Sequence, residues 1–306
     1  MKQNPVYNRE MRVSSRSLKL PLIIFLFNGI LFLVTLLNMY SVIMQVKATA
    51  NIQYSSFMDL YEFVTSMEFL LLMFIVPAVT ASSISGERER HTLELMFTTK
   101  IRPIDIVIGK LASAFTHLMI LVFSSIPVLM LTFIYGSISS QDLFLLLFSY
   151  VTVALYCGSL GIFASSLMKR STFSNVITYG IMLVLVVGTY MLNVFLLRIS
   201  ETEINMMVLG AGETIPEPTS GAAVYLLLAN PAITFAQILE GQVAGGGGNF
   251  TIRNFLGSQA GNLITDHWVF FSLILQLVLS AIFIWGAVFF LGPVRRQKKA
   301  DLQSTR

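Results

Sequence analysis

Six long apolar runs alternate with short polar segments along the 306 residues of the chain. The runs cover residues 20–46, 63–84, 104–135, 143–168, 173–197 and 268–291. An α-helix rises about 1.5 Å per residue, so ~20 residues cross the ~30 Å hydrocarbon layer of a bilayer. The pattern predicts an all-α integral membrane protein, with six transmembrane helices in one domain over residues 20–306.

Basic residues divide unequally between the two sides of the predicted bundle. Seventeen of the 20 Lys and Arg lie in segments 1–19, 85–110, 169–170 and 295–306, whereas the alternate segments hold only Lys47, Arg198 and Arg253. Cytoplasmic loops of membrane proteins carry the excess of Lys and Arg. We therefore expect both termini to be cytoplasmic.

Composition agrees with a membrane protein. Charged residues make up 12% of the chain, whereas soluble domains contain about 25%. The net charge of +4 follows from basic residues at span ends, without an aromatic stacking platform, so we expect no nucleic-acid partner. The single cysteine, Cys157, excludes a disulfide framework within the chain.

Residues 1–19 form a predicted interfacial segment with an amphipathic helix over 5–19. Asn4 is suited to cap this helix and Pro5 to occupy its first position. One face carries four basic residues and the other three apolar ones, in the order Arg9, Arg12, Arg16 and Lys19 against Tyr7, Met11 and Leu18. This pattern favours a helix in the cytoplasmic headgroup layer, and the alternative is a solvated basic leader.

The inner segment between the second and third runs predicts a short helix over about 87–99, ended by Pro103. Leu93, Met96 and Phe97 form an apolar arc at helical spacing. Because an isolated helix of this length is marginal in water, the arc needs a surface to bury against. The span ends of this chain, the membrane surface and a separate cytoplasmic protein all remain open.

The outer segment 198–267 contains an apolar stretch over 222–239 that Asn230-Pro231 interrupts. Proline breaks a helix, and each remaining piece is too short to cross a bilayer. The pattern predicts a re-entrant helical hairpin in the outer leaflet. The glycine run 245–248 is typical of a flexible connector.

Motifs for catalysis and cofactor binding are missing from the sequence. Gly109-Lys110 is followed by leucine, so it does not form a phosphate-binding P-loop. His91, His117 and His267 fall at three different depths and cannot converge on one metal. We expect neither enzymatic activity nor a cofactor in this chain.

Polar residues inside the runs are candidates for a transport path, because burying them in a bilayer is costly. Glu68, Tyr190 and Asn193 are the candidates to line such a path. The alternative for Glu68 is an interfacial carboxylate whose side chain extends outward to water.

Three local features resemble the type-2 permease subunits of ATP-binding cassette transporters. They are Asn4-Pro5 followed by Arg9-Glu10-Met11-Arg12, the inner segment from Ser85-Gly86-Glu87-Arg88-Glu89-Arg90 through Thr98-Thr99 to Gly109-Lys110, and the Asn230-Pro231 break. The second is the most specific, and the order of the spans matches over nearly the whole chain.

The resemblance implies a half-transporter in a bacterial plasma membrane, formed by two six-helix subunits on separate ATPase subunits that bind ATP and Mg²⁺. The second and fifth spans line the path, and members of this shape without a solute-binding domain mostly export. Segment 87–99 is the implied coupling helix, with Glu87, Glu89, Leu93, Glu94, Met96 and Phe97 as the coupling residues. The apolar spans favour a lipid, an amphipathic peptide or a hydrophobic drug as substrate.

Two other classes of protein remain open. A stand-alone secondary transporter or channel needs paired charges in its core and often an internal repeat. The sequence halves do not repeat, and Glu68 has no obvious cationic partner at its depth. A non-transporting membrane assembly or immunity subunit is the other alternative. Co-purification of an ATP-hydrolysing subunit separates the transporter reading from both.

The basic-residue asymmetry makes a direct topology prediction. A reporter fused after Lys299 or inserted near Lys169 is expected in the cytoplasm, and one inserted in the glycine run 245–248 is expected outside. Protease protection or reporter activity in intact cells measures both. An external C-terminal tail contradicts the six-span arrangement.

Overall fold

The computed structural model describes residues 4–49, 54–98, 101–136, 139–206, 216–243, 250–257 and 262–304. Its helices are α1 (Pro5–Ser15), α2 (Lys19–Thr49), α3 (Tyr54–Thr80), α4 (Ser85–Glu89), α5 (Thr92–Thr98), α6 (Pro103–Gly136), α7 (Ser140–Leu167), α8 (Ser171–Leu183), a π-helical turn (Val184–Gly188), α9 (Thr189–Met206), a 3-10 helix (Gly221–Ala229), α10 (Pro231–Val243), α11 (Phe250–Leu256), α12 (Leu263–Asp266) and α13 (Trp268–Ser304). Thr99 and the glycine run 245–248 lie outside the described residues.

The six predicted transmembrane helices are confirmed. Within the described residues, six helices are long and apolar enough to cross a membrane: Leu20–Gln45, Met58–Glu89, Pro103–Met130, Ser140–Leu167, Ser171–Met206 and Trp268–Leu291. Below, "inner" and "outer" follow the orientation predicted from the basic residues, and the spans are numbered one to six in this order.

The fourth span, α7, lies at the centre of the bundle and packs against α3, α6, α8 and α13. Small residues such as Gly158, Gly161 and Ala164 let neighbouring helices approach it closely. By contrast, only 11% of the most apolar window of the fifth span is buried, against 61% for α7. The fifth span is therefore a peripheral helix in this chain.

The fifth span is continuous but changes helical type near its middle. The π-helical turn Val184–Gly188 separates α8 from α9, and the amide of Thr189 donates to the carbonyl of Val184, five residues back. A π turn spreads the hydrogen-bond ladder and lets a side chain reach a carbonyl within it.

The outer segment bends sharply at the predicted position. The 3-10 helix and α10 meet at Asn230 with an angle of 93° between them. The Phe235 ring of α10 stacks on Phe69 of α3 with centroids 4.1 Å apart, and Gln276 Nε2 of α13 donates to Thr234 Oγ1 over 2.8 Å. Asn230-Pro231 therefore marks a real break, and its depth in a membrane remains a prediction.

Two inner helices differ from the predicted lengths. The amphipathic helix α1 has Asn4 as its cap, with the Val6 amide donating to Asn4 Oδ1 over 3.0 Å, but it ends at Ser15 and not near 19. The helix predicted over 87–99 is two short helices, because His91 adopts the left-handed φ of 57° between α4 and α5. A left-handed residue interrupts a right-handed helix.

The close crossing of α3 and α7 predicts the effect of one added methyl group. An added Cβ at Gly161 would overlap Thr80 Oγ1 and lie 3.0 Å from Thr80 Cβ, whereas one at Gly180 of α8 meets nothing within 4 Å. Gly161→Ala is expected to cost about 1–3 kcal/mol through overpacking. Thermal unfolding in detergent micelles measures the loss. Gly180→Ala is the control, and an equal midpoint for both variants contradicts the crossing.

Candidate functional site

An apolar groove of about 720 Å³ lies between the second and fifth spans. Its volume is in the range of small-molecule pockets, about 300–1,000 Å³. All three groups of lining residues are mostly apolar: Ser66, Phe69, Leu70, Met73 and Phe74 from α3; Tyr179, Met182, Leu183, Val186 and Val187 from the fifth span; and Ala232 and Phe235 from α10. The groove can accommodate a hydrophobic molecule.

A hydrogen bond joins the two walls of the groove. The α10 helix covers the groove. The Tyr179 hydroxyl donates to the carbonyl oxygen of Phe74 over 2.8 Å, so the phenol joins the two walls. Phe235 of α10 stacks on Phe69 of the α3 wall and, with Ala232, forms the roof of the groove. Phe74 and Leu183 remain 58% and 62% exposed, so the groove opens sideways, away from the bundle.

The three predicted path residues do not meet in this groove. Glu68 is 0% exposed, with its carboxylate bonded to the Ser125 hydroxyl of α6, so it reaches neither the groove nor the exterior of the bundle. Asn193 is buried and donates to the carbonyl of Ala223 over 3.1 Å. Tyr190 is half exposed, and its ring meets the edge of Phe255 in α11. Their roles in transport remain predictions.

The apolar residues that line the groove are not among the predicted site residues. Phe69, Met73 and Phe74 recur on α3 at helical spacing. This apolar stripe is the sequence feature that corresponds to the groove wall. The same stripe is typical of a helix that faces lipid or a neighbouring helix. Sequence spacing alone does not distinguish these environments.

The apolar arc of the inner segment is buried within this chain. Leu93, Met96 and Phe97 are 1%, 7% and 9% exposed and belong to one cluster with Val6 of α1 and Ile106 of α6. The sequence allowed three surfaces to cover the arc, and in the structure the other helices of this chain cover it. The outward face of α5 instead presents Leu95, which is 66% exposed, beside the exposed Glu94.

A buried lysine joins three inner helices. Lys110 Nζ of α6 lies 3.1 Å from Glu10 Oε1 of α1 and 3.1 Å from Glu87 Oε1 of α4, and the Lys110 side chain is only 4% exposed. Arg9 Nη1 lies 3.6 Å from the same Glu87 oxygen. Residues Arg9, Glu10, Glu87 and Lys110 are called the inner ion-pair cluster below. This cluster holds α1 against α4, at the start of the predicted coupling segment 87–99.

Close backbone contact reinforces the inner ion-pair cluster. Asn4 Nδ2 donates to the carbonyl of Asp105 over 2.7 Å. At Gly109 an added Cβ lies 2.8 Å from the Val6 Cβ, so the absence of a side chain lets α1 approach α6. Sequence features that are far apart, Asn4-Pro5, Arg9-Glu10, Glu87 and Gly109-Lys110, therefore converge in one place.

The α4 helix is also bonded to the loop between the fourth and fifth spans. Arg88 donates through Nη1 to the Met168 carbonyl over 3.1 Å and through Nη2 to the Ser166 carbonyl over 3.0 Å. Glu89 accepts a hydrogen bond from the Ser171 hydroxyl over 2.6 Å. A charge-lined inner groove of about 900 Å³ borders this contact, and Leu93, Glu94, Lys169, Arg170 and Phe173 are among its lining residues.

Removing the central lysine is expected to loosen the inner end. In Lys110→Met, two carboxylates lose their shared cation, which should cost roughly 3 kcal/mol, the low end for a buried pair, because the Glu10 side chain is 30% exposed. Thermal unfolding and limited proteolysis of the N-terminal segment measure the change. Arg198→Met removes one partner of an exposed pair, whose contribution is at most about 1 kcal/mol. Equal midpoints for the two variants would argue against the cluster.

The sequence also matches a known protein family. A family model described as ABC-2 family transporter protein matches residues 5–292, which include all six spans and the inner segment. The search of curated proteins returned no match. Because the family match covers nearly the whole chain and the six-helix architecture agrees with it, the chain belongs to the ABC-2 transporter family and is a membrane permease subunit of an ATP-binding cassette transporter.

Proposed function

We propose that this permease works as an exporter, pairs with a second six-helix subunit and is driven by separate ATPase subunits. The observation that carries the proposal is the apolar groove between the second and fifth spans, open on one side. A second copy placed against that side turns two half-open grooves into one enclosed path. The resemblance to exporting members of the family supports the direction.

The chemistry of the groove supports an apolar or amphipathic substrate. Phenylalanine, methionine and leucine side chains dominate its walls, and Ser66 and Tyr179 are its polar lining residues. An ion that enters such a groove loses its hydration without compensation, which is unfavourable. A lipid, an amphipathic peptide or a hydrophobic drug buries apolar surface there at about 25 cal/mol per Å².

Coupling to ATP hydrolysis is proposed to pass through α4 and α5. These helices contact α1, α6 and the loop between the fourth and fifth spans through the inner ion-pair cluster and the Arg88 hydrogen bonds. A force applied to α5 is therefore transmitted to several spans by rigid contacts, as a conformational switch requires. Glu87 and Glu89 bind α4 to neighbouring helices of the same chain by an ion pair and a hydrogen bond. The buried Leu93, Met96 and Phe97 pack α5 against the same chain.

The surface that contacts the ATPase is proposed to be the outward face of α5 and the neighbouring charge-lined inner groove. Leu95 supplies an exposed apolar anchor, while Glu94, Lys169 and Arg170 provide charges of both signs around it. Interface energy concentrates in a few apolar anchors, and surrounding charges tune encounter and register.

Truncation of Leu95 should therefore affect ATPase association, whereas truncation of Phe97 should affect the stability of the permease. Leu95→Ala is expected to weaken ATPase co-purification about tenfold, or ~1.4 kcal/mol, because it truncates an interface anchor. Its thermal midpoint should stay near wild type, since a surface change usually costs within about 0.5 kcal/mol. Phe97→Ala should lower the midpoint strongly, because the cavity it leaves costs about 3–5 kcal/mol.

Leu263→Ala is the matched control, since Leu263 is 70% exposed at the outer end. Pull-down of the ATPase from membranes that express both chains gives the association, and transport in vesicles gives the activity. A Leu95→Ala chain that retains wild-type association contradicts the proposed surface. Failure of every version to bind an ATP-hydrolysing subunit contradicts the proposed function itself.

A further inference from the structure

We propose that Asn230 is a positioning residue that sets the width of the apolar groove by holding the fifth span to α10. The inference rests on the proposed function in taking the groove as the transport path. It concerns a residue that the sequence marked only as the site of a helix break.

Asn230 uses the full hydrogen-bonding capacity of its side chain. It is 0% exposed, and Nδ2 donates to the Val186 carbonyl over 2.8 Å and to Thr189 Oγ1 over 3.0 Å. Its Oδ1 accepts from the amides of Ala232 at 2.9 Å and Ile233 at 3.4 Å, which caps α10. A side-chain amide offers two donors and two acceptor lone pairs, and all are engaged.

The two donated bonds end on the fifth span where it borders the groove. The Val186 carbonyl belongs to the π-helical turn, and the Val186 side chain lines one wall. On the other side of Asn230, Ala232 and Phe235 form the roof. The Asn230 side chain therefore links the wall to the roof, and it does so in the turn where the helical ladder is widest.

The outer half of the fifth span packs on the outer segment of the chain. Among the described elements outside its own span, α9 packs mainly against the 3-10 helix and α11, whereas the core of the bundle is centred on α7. The α10 helix is in turn fixed to the bundle, by the stack of Phe235 on Phe69 and by the hydrogen bond between Gln276 and Thr234. Asn230 thus connects a fixed helix to a peripheral one.

The inner end of the protein uses the same dipeptide in the same way. Asn4 caps α1, Pro5 occupies the first helical position, and Asn4 Nδ2 reaches a carbonyl of a different helix, that of Asp105. In each Asn-Pro pair the side-chain oxygen caps the N-terminus of the helix that follows, and the side-chain nitrogen donates to a carbonyl of a different helix. The arrangement at Asn230 fastens two elements in addition to breaking a helix.

The separation of the groove walls can be measured directly. Nitroxide labels are placed on Leu70 and Val187, two groove residues that are 48% and 45% exposed, in a Cys157→Ala background. Labelled chain is mixed with excess unlabelled chain, so that each assembly carries one labelled copy, and is reconstituted in phosphatidylcholine nanodiscs. Dipolar broadening in continuous-wave EPR spectra then reports the distance across the groove.

Asn230→Ser separates the link from the helix cap. Serine caps a helix as well as asparagine does but is too short to reach the Val186 carbonyl. We expect the dipolar broadening to fall, because the walls separate. Thr189→Val removes one of the two acceptors on the fifth span and should give a smaller change in the same direction. Asn28→Ser is the matched control, since Asn28 Nδ2 bonds Ser124 Oγ between α2 and α6, away from the groove.

Unchanged broadening in a folded Asn230→Ser chain overturns the proposal, and so does an equal loss of broadening in Asn28→Ser. If Asn230→Ser does not fold, the Thr189→Val spectrum decides, and no change there overturns the proposal. These spectra need neither substrate nor ATPase. A chain that binds no ATPase subunit while Asn230→Ser still loses broadening therefore rejects the proposed function and leaves the role of Asn230 intact.

Discussion

The constraint on which this structure depends is that a bilayer offers no hydrogen-bond partners to an exposed backbone group. Six long helices satisfy most of their amides and carbonyls internally. At two described places where the backbone leaves the helical path, polar side chains complete the hydrogen bonding. Ser165 Oγ accepts the amides of Ile84 and Ser85 at the start of α4, and Arg88 donates to the Ser166 and Met168 carbonyls at the end of α7.

This constraint also explains how the chain divides into fixed and peripheral parts. The small residues of α7 allow close packing at the centre, and the inner ion-pair cluster joins α1, α4 and α6 into a unit at the inner end. The fifth span touches this core along α8 but is mostly peripheral, and it borders an apolar groove. A transporter needs such a combination, because a rigid unit must transmit force while another element changes position.

Buried polar residues of the spans and of the outer segment join elements of the fold. Glu68, Asn193 and Asn230 are fully buried and bind other helices or the outer segment, and none of them is among the residues that line the groove. Burying a polar group is costly unless it is hydrogen-bonded, so it is retained where it fastens something. The groove itself consists of side chains that sequence reasoning cannot tell from a surface that faces lipid.

The spans, the helix cap at Asn4 and the break at Asn230-Pro231 could be read from the sequence, because they follow from local hydrophobicity and backbone chemistry. The packed fold was needed to show that Leu93 and Phe97 turn inward, that Lys110 meets Glu10 and Glu87, and that Asn230 binds Val186. Each of these contacts joins residues that belong to different helices. Helical periodicity specifies which residues share a face, but the relative rotation and approach of two helices depend on packing between them.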